Sequence, residues 1–116
     1  MDFTTAELEY IRTQRLARIG TASASGKPDV AAVAFDFDGE YFYISGIRNE
    51  ITRKYHNTKK NPRASLVIDD LASTRPWKPR GIKIDGSVDF VHRQGYVGEK
   101  EYLRIKPLSK HSWGLS

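Results

Sequence analysis

Ser45-Gly46, Thr52-Arg53-Lys54 and Asn61-Pro62-Arg63 are the residues whose types and spacing best suit chemistry. A strand-favouring run ends at Ser45, and a basic helix is expected to begin shortly after it. Amides at a helix start point outward with partial positive charge and favour an anion. Arg53 adds a planar fork that takes a phosphate through two parallel hydrogen bonds. Lys54 adds a compact point charge, and Thr52 a hydroxyl donor. The charge distribution singles out the same stretch. Between positions 48 and 63, Arg48, Arg53, Lys54, Lys59, Lys60 and Arg63 face one acid, Glu50. That leaves 13 of the 19 bases and 13 of the 14 acids elsewhere, so the segment holds the whole net charge of +5. An excess this localised points to an anion site of phosphate monoester or diester type. A solvated helix face is the plainer reading of such a run.

The remaining chemistry-bearing residues are sparse. There is no cysteine, which excludes disulfides, thiolate catalysis and cysteine-based zinc sites. His56, His92 and His111 are widely spaced with no carboxylate at ligand spacing, so no metal site is expected. No serine sits in a nucleophile elbow, and no Gly-rich nucleotide fingerprint is present. An enzyme built this way borrows its chemistry from a cofactor, and no catalytic side chain is named. Trp77 and Trp113 fall in segments expected to be irregular, where they line a ring-binding pocket or plug barrel ends. Arg80-Gly81 marks either a close approach of a ligand to backbone or a turn.

The elements that must position these residues are read from pattern. Thr4-Thr5-Ala6-Glu7 has capping-box spacing and opens a helix with Leu8 and Ile11 on its apolar face. Leu16 to Ala22 reads as a short strand ending in the turn Ser25-Gly26-Lys27-Pro28. Val30 to Phe37 is nearly continuous apolar sequence and reads as a strand buried on both faces. Asp38-Gly39 turns it into a hairpin with Glu40 to Ser45. Ile51 and Tyr55 mark a short helix that stops at Asn61-Pro62. Ala64 to Ile68 is a strand, Ala72 to Pro79 a loop, and Ile82 to Val91 an alternating half-buried strand. Glu99 to Ile105 reads as a short helix, followed by an extended tail, Leu108 to Leu115, anchored by Trp113. Five or six mostly antiparallel strands with few helices predict a mainly β protein, a small Greek-key barrel, as one domain over 1–116.

Size and composition set further bounds. A chain of 116 residues buries a modest core and has little room for a deep private pocket. A pocket shared between two copies would solve that. Hydrophobic residues at 39% and charged residues at 28% are the composition of a soluble globular protein. Met1 to Leu16 has early acids and no apolar run, so neither a signal peptide nor a membrane span is expected and the cytoplasm is the default address.

Phe42 to Ser45, Arg53-Lys54 and Asn61-Pro62-Arg63-Ala64-Ser65-Leu66-Val67 together resemble the core of the pyridoxamine 5′-phosphate oxidase-like FMN-binding split barrels. Pro76-Trp77-Lys78-Pro79-Arg80-Gly81-Ile82-Lys83-Ile84-Asp85-Gly86, Ile105-Lys106-Pro107 and Ser112-Trp113-Gly114 look more like one branch, the small proteins assigned to the deazaflavin coenzyme F420. The first of these stretches is the most specific part of a resemblance that covers nearly the whole chain. It implies a split β-barrel homodimer with cofactors at the subunit interface and hydride transfer through a flavin or deazaflavin ring. It also implies that Arg53 and Lys54 hold the cofactor phosphate, that Ile44 and Ser45 touch the cofactor, and that Thr52 assists. Arg80, Gly81 and Trp113 complete the expected cofactor-binding set. The chain departs from the flavin oxidases at three places. Ala31 stands for an arginine, Asp36 for a lysine and Gly81 for a glutamine, which argues against pyridoxamine phosphate oxidation and fits a deazaflavin.

The expectation is therefore an F420-dependent oxidoreductase acting on a small conjugated molecule, with no membrane or nucleic-acid partner. An FMN flavoprotein of the same fold is the nearest alternative. A non-catalytic cofactor-binding protein and a single-strand-binding small barrel are the others. The last of these usually spreads its charge along a groove, whereas here the rest of the chain is neutral.

Overall fold

The computed structural model describes residues 1–115. Helix α1 (Thr5–Thr13) starts where the capping box requires. The Thr4 side chain accepts from the Glu7 amide at 3.1 Å, and the Glu7 carboxylate accepts from the Thr4 amide at 2.9 Å. Seven strands follow: β1 (Leu16–Ala22), β2 (Pro28–Ala34), β3 (Asp36–Phe37), β4 (Phe42–Ile44), β5 (Arg63–Thr74), β6 (Trp77–Gly95) and β7 (Gly98–Trp113). A 3-10 turn (Asn49–Ile51) and helix α2 (Arg53–Lys60) lie between β4 and β5. All pairings are antiparallel, in the order β2-β1-β5-β6-β7-β4-β3.

The two faces of this sheet follow from period-2 alternation. Ala17, Ile19, Leu66, Ile68, Ile82 and Ile84 point inward and are almost completely buried, joined by Phe42, Ile44, Leu103 and Ile105. Helix α1 closes this side with Tyr10 and Ile11. Register aligns Val30, Gly20, Ser65, Asp85 and Ser109 in one row on the outer face, with Ala32, Arg18, Val67, Lys83 and His111 in the next. Among the described residues, no helix is long and apolar enough to cross a membrane.

Four expectations are corrected. Glu99 to Ile105 is strand, not helix, because Gly95 and Gly98 flank a tight turn that folds β6 back on β7. Gly98 there takes φ +93°, a conformation open to glycine. Ala72 to Pro79 is not an irregular loop: it is the end of β5, the Arg75-Pro76 turn and the start of β6, with Thr74 paired to Trp77. Val30 to Phe37 is neither continuous nor buried on both faces. Strand β2 lies at the sheet edge, so Val30 is 71% exposed, and Phe35 separates it from β3. The expected strands at Ala64 to Ile68 and Ile82 to Val91 both extend well beyond those bounds.

Candidate functional site

Strand β4 ends at Ile44, and Ser45 to Thr52 carry the chain to α2. Thr52 caps that helix, its Oγ1 accepting from the Tyr55 amide at 3.4 Å and donating to the Asn49 carbonyl at 2.7 Å. The first residues of α2 are Arg53, which is exposed, and Lys54, which is only 8% exposed. Among the described residues, neither has an ion-pair partner. Burial pushes the Lys54 ammonium below its ordinary pKa, with the charge of Asp29 acting weakly the other way. Arg48, Lys60 and Arg63 are likewise unpaired, while Lys59 pairs with Glu101 at 3.5 Å and lies 3.7 Å over the Phe90 ring. The far end of α2 is fixed to β1: Asn57 Nδ2 donates to Thr21 Oγ1 at 3.0 Å, and Asn61 Nδ2 to the Ala22 carbonyl at 3.4 Å.

Ile44 is fully buried and Ser45 is 5% exposed. The Ser45 hydroxyl donates to the Glu101 carbonyl at 2.8 Å. Its backbone is gripped by the Tyr96 side chain. Tyr96 accepts from Ser45 N–H at 2.7 Å and donates to Ser45 C=O at 2.6 Å. Desolvation pushes the Tyr96 phenol up to about 12 against the lowering effect of the Ser45 hydrogen bond. Lys100 Nζ donates to the carbonyls of Gly46 at 3.3 Å and Ile47 at 2.9 Å. Asn49 is 5% exposed, and neither its Nδ2 nor its Oδ1 has a partner. Asn49, Tyr96 and Lys100 were not singled out from sequence. The only available signal was Gly95-Tyr96-Val97-Gly98, a turn between glycines.

Ile44, Ser45, Thr52, Arg53 and Lys54 follow one another along the chain from the end of β4 into α2. The structure places Arg80, Gly81 and Trp113 together elsewhere. Ile44 pairs with Leu103 of β7, and Trp113 lies ten residues further along that strand, on the order of 30 Å at about 3.3 Å per residue. Arg80 faces α1, bonding Asp70 through Nε at 2.7 Å and Nη2 at 3.0 Å. Tyr10 completes this cluster by donating to Asp70 at 2.9 Å. Gly81 lies under the Trp113 ring on the outer face. Trp77 is 68% exposed at the β5–β6 turn, so it does not plug the barrel. An open cleft of about 770 Å³ runs over the outer face, with Gly20, Val30, Arg63, Ser65, Asp85 and Ser109 in its walls. Among the described residues, no three His, Asp or Glu side chains are grouped to hold a metal ion.

The chain is thus an antiparallel barrel with unpaired cations, among the described residues, where a strand end meets a helix start. Residues 3–112 match the family described as pyridoxamine 5'-phosphate oxidase, and the chain belongs to that family. A 5a,11a-dehydrotetracycline/5a,11a-dehydrooxytetracycline reductase from Streptomyces rimosus subsp. rimosus is 31% identical over 122 residues, spanning 99% of this chain and 85% of that protein. Among solved structures, an F420 reductase superposes with TM-score 0.65 at 18% identity, over 84% of this chain and 90% of its own. HutZ, the heme storage protein from Vibrio cholerae, superposes with TM-score 0.75 at 13% identity, over 100% and 98%. These two likenesses speak for the barrel fold alone.

Proposed function

We propose that the chain is a deazaflavin (coenzyme F420)-dependent oxidoreductase that transfers hydride to or from a small conjugated organic substrate. The observation that carries this reading is Lys54. A largely buried lysine with no ion-pair partner among the described residues, and only the more distant charge of Asp29 to balance it, is held in a state that an anionic group brought by a ligand favours. Arg53 stands beside it, free to take the same phosphate in a bidentate grip. The residues present fit the phosphate-bearing tail of such a coenzyme. Thr52 contributes by fixing the helix start, since its hydrogen already goes to the Asn49 carbonyl. The ring is placed at the end of β4 beside Ser45, since Ile44 itself is enclosed in the core.

When bound, the coenzyme supplies the hydride chemistry. The chain's own residues hold the tail, set the ring against the strand end and keep water from it. The choice of deazaflavin over FMN is supported by Asp36 and Gly81. Asp36 pairs with Arg93 at 3.2 Å and accepts from the Tyr96 amide at 3.0 Å, so it brings no cation to a flavin phosphate. Gly81 carries no side-chain amide for a ring and is covered by Trp113. The reductase relative supports reduction as the reaction class.

The reading includes a homodimer. Val30, Ala32, Ala34 and Leu16 leave an apolar strip exposed at the β1–β2 edge of the outer face, beside the 770 Å³ cleft. A second copy seated there would cover this strip. Titration of the purified protein with FMN and coenzyme F420 side by side tests the reading, followed by a reduction screen of conjugated acceptors. Preferential binding of F420 is expected. Tight binding of FMN alone moves the assignment to a flavoprotein of the same fold, and binding of neither removes it.

A further inference from the structure

The end of β4 offers two backbone groups that no strand takes. Ser45 N–H and C=O belong to one residue beyond the last ladder pair, Ile44 with Leu103. A single hydroxyl meets both, because a phenol donates once and accepts at the same time. The better complement to such a pair is a planar group with N–H and C=O side by side, as in the doubly bonded pairs of an antiparallel ladder. A lactam edge in the cis form is such a group. The neighbouring segment also has unmet demand: Asn49 holds a buried amide with neither atom paired. Ile47 and Ile51, 84% and 61% exposed, present apolar side chains that a flat ring would cover.

We infer that Tyr96 is a displaceable plug, whose hydroxyl fills the Ser45 donor–acceptor pair until the lactam edge of a bound ring takes it over. The inference rests on the reading above that a flavin-type ring lies at this strand end. The hairpin tip stays in place during the exchange. The Tyr96 amide is tied to Asp36 Oδ2 at 3.0 Å, and the Val97 amide to Tyr102 Oη at 3.1 Å. The movement is therefore a rotation of the Tyr96 side chain away from its edge-on packing against Tyr102. The plug sets specificity as well as access. A ring that offers both N–H and C=O repays the two hydrogen bonds it displaces, and a ring lacking the N–H does not.

The test uses FMN and coenzyme F420 and, for each, the analogue methylated at the lactam nitrogen. Tyr96→Phe removes the competing hydroxyl and keeps the ring. Whichever coenzyme the wild-type chain binds should bind Tyr96→Phe about ten-fold or more tighter, the scale of the two net hydrogen bonds no longer displaced. The N-methylated analogue should bind the wild-type chain about ten-fold or more weakly than its parent. Amide hydrogen exchange at Ser45 gives a second readout. Protection should be present in the free wild-type chain, lost in free Tyr96→Phe and restored when the ring binds either. Equal or weaker binding by Tyr96→Phe overturns the plug and makes Tyr96 a positioning residue. Equal binding of parent and methylated ring overturns the lactam assignment. A wild-type chain that binds neither coenzyme overturns the function reading and the plug together, a result distinct from tight binding that ignores Tyr96.

Discussion

Trp113 lies over Gly81 so closely that a methyl group at Gly81 would stand 2.6 Å from Trp113 Cζ2 and 2.7 Å from the Ile68 carbonyl. The absent side chain at this position makes room for the protein's own indole. Gly81→Ala should therefore destabilise the chain by about 1–3 kcal/mol through overpacking. Thermal melting should show a midpoint lowered by roughly 4 °C or more. Adding Trp113→Ala should recover only part of the loss, because the Ile68 carbonyl remains in the way.

Glu7 couples the start of α1 to β7, receiving Lys110 Nζ at 2.6 Å and Ser112 Oγ at 2.7 Å. Burial alone would raise its pKa, but the hydrogen bonds from Lys110, Thr4 and Ser112 outweigh it and hold the carboxyl at about 2. The folded value lies below the unfolded one, so the stabilisation is complete above about pH 4.5 and disappears as pH falls toward 2. Its ceiling is roughly 3 kcal/mol. Glu7→Gln keeps an acceptor for the capping box and removes the charge. The melting-temperature gap between the two proteins should be widest near neutral pH and close between pH 4.5 and 2.

The fold was legible where one residue type forces one geometry. Thr4 and Glu7 dictate the first helix, Asp38-Gly39 the first hairpin, and Ile82 with Ile84 the buried face of β6. Reading failed where tertiary pairing decides. Tyr102 and Leu103 look helical in a local window, yet they are fully buried in a strand because the Gly95–Gly98 turn folds them against Val91 and Phe90. The apolar run from Val30 suggested burial on both faces, a judgement that an edge strand defeats. Within the site, Arg53 and Lys54 stood out because charge is counted from sequence alone. Tyr96 did not, because its partner Ser45 is a contact across 51 positions that no local pattern encodes.

Asn49 separates stability from binding. Its amide is buried without partners in the free chain, so replacing it with an apolar side chain removes an unmet polar demand. Asn49→Ala should leave the melting temperature of the ligand-free protein unchanged or raise it, with the lost demand offsetting the small cavity. Calorimetry of the free protein checks this, and a drop of several degrees would mean the amide has a partner in solution.

The dimer surface has its own test. Ala32 is exposed in the middle of β2 directly across from Arg18, so a long cationic side chain there turns outward to solvent at a small cost from the like charge opposite. Ala32→Arg should turn a dimer into a monomer by light scattering, with unchanged circular dichroism and weakened coenzyme binding. A wild-type monomer, or a variant that stays dimeric, would count against the interface.

The most direct measurement compares coenzyme F420 affinity in the wild-type chain and in Arg53→Ala with Lys54→Ala. The phosphate-free deazaflavin serves as the control ligand. Two charge-assisted contacts at about 1.5–3 kcal/mol each predict a loss of roughly 100-fold or more for the coenzyme. The phosphate-free ring should bind both proteins alike. Unchanged coenzyme affinity in the double variant would contradict the account.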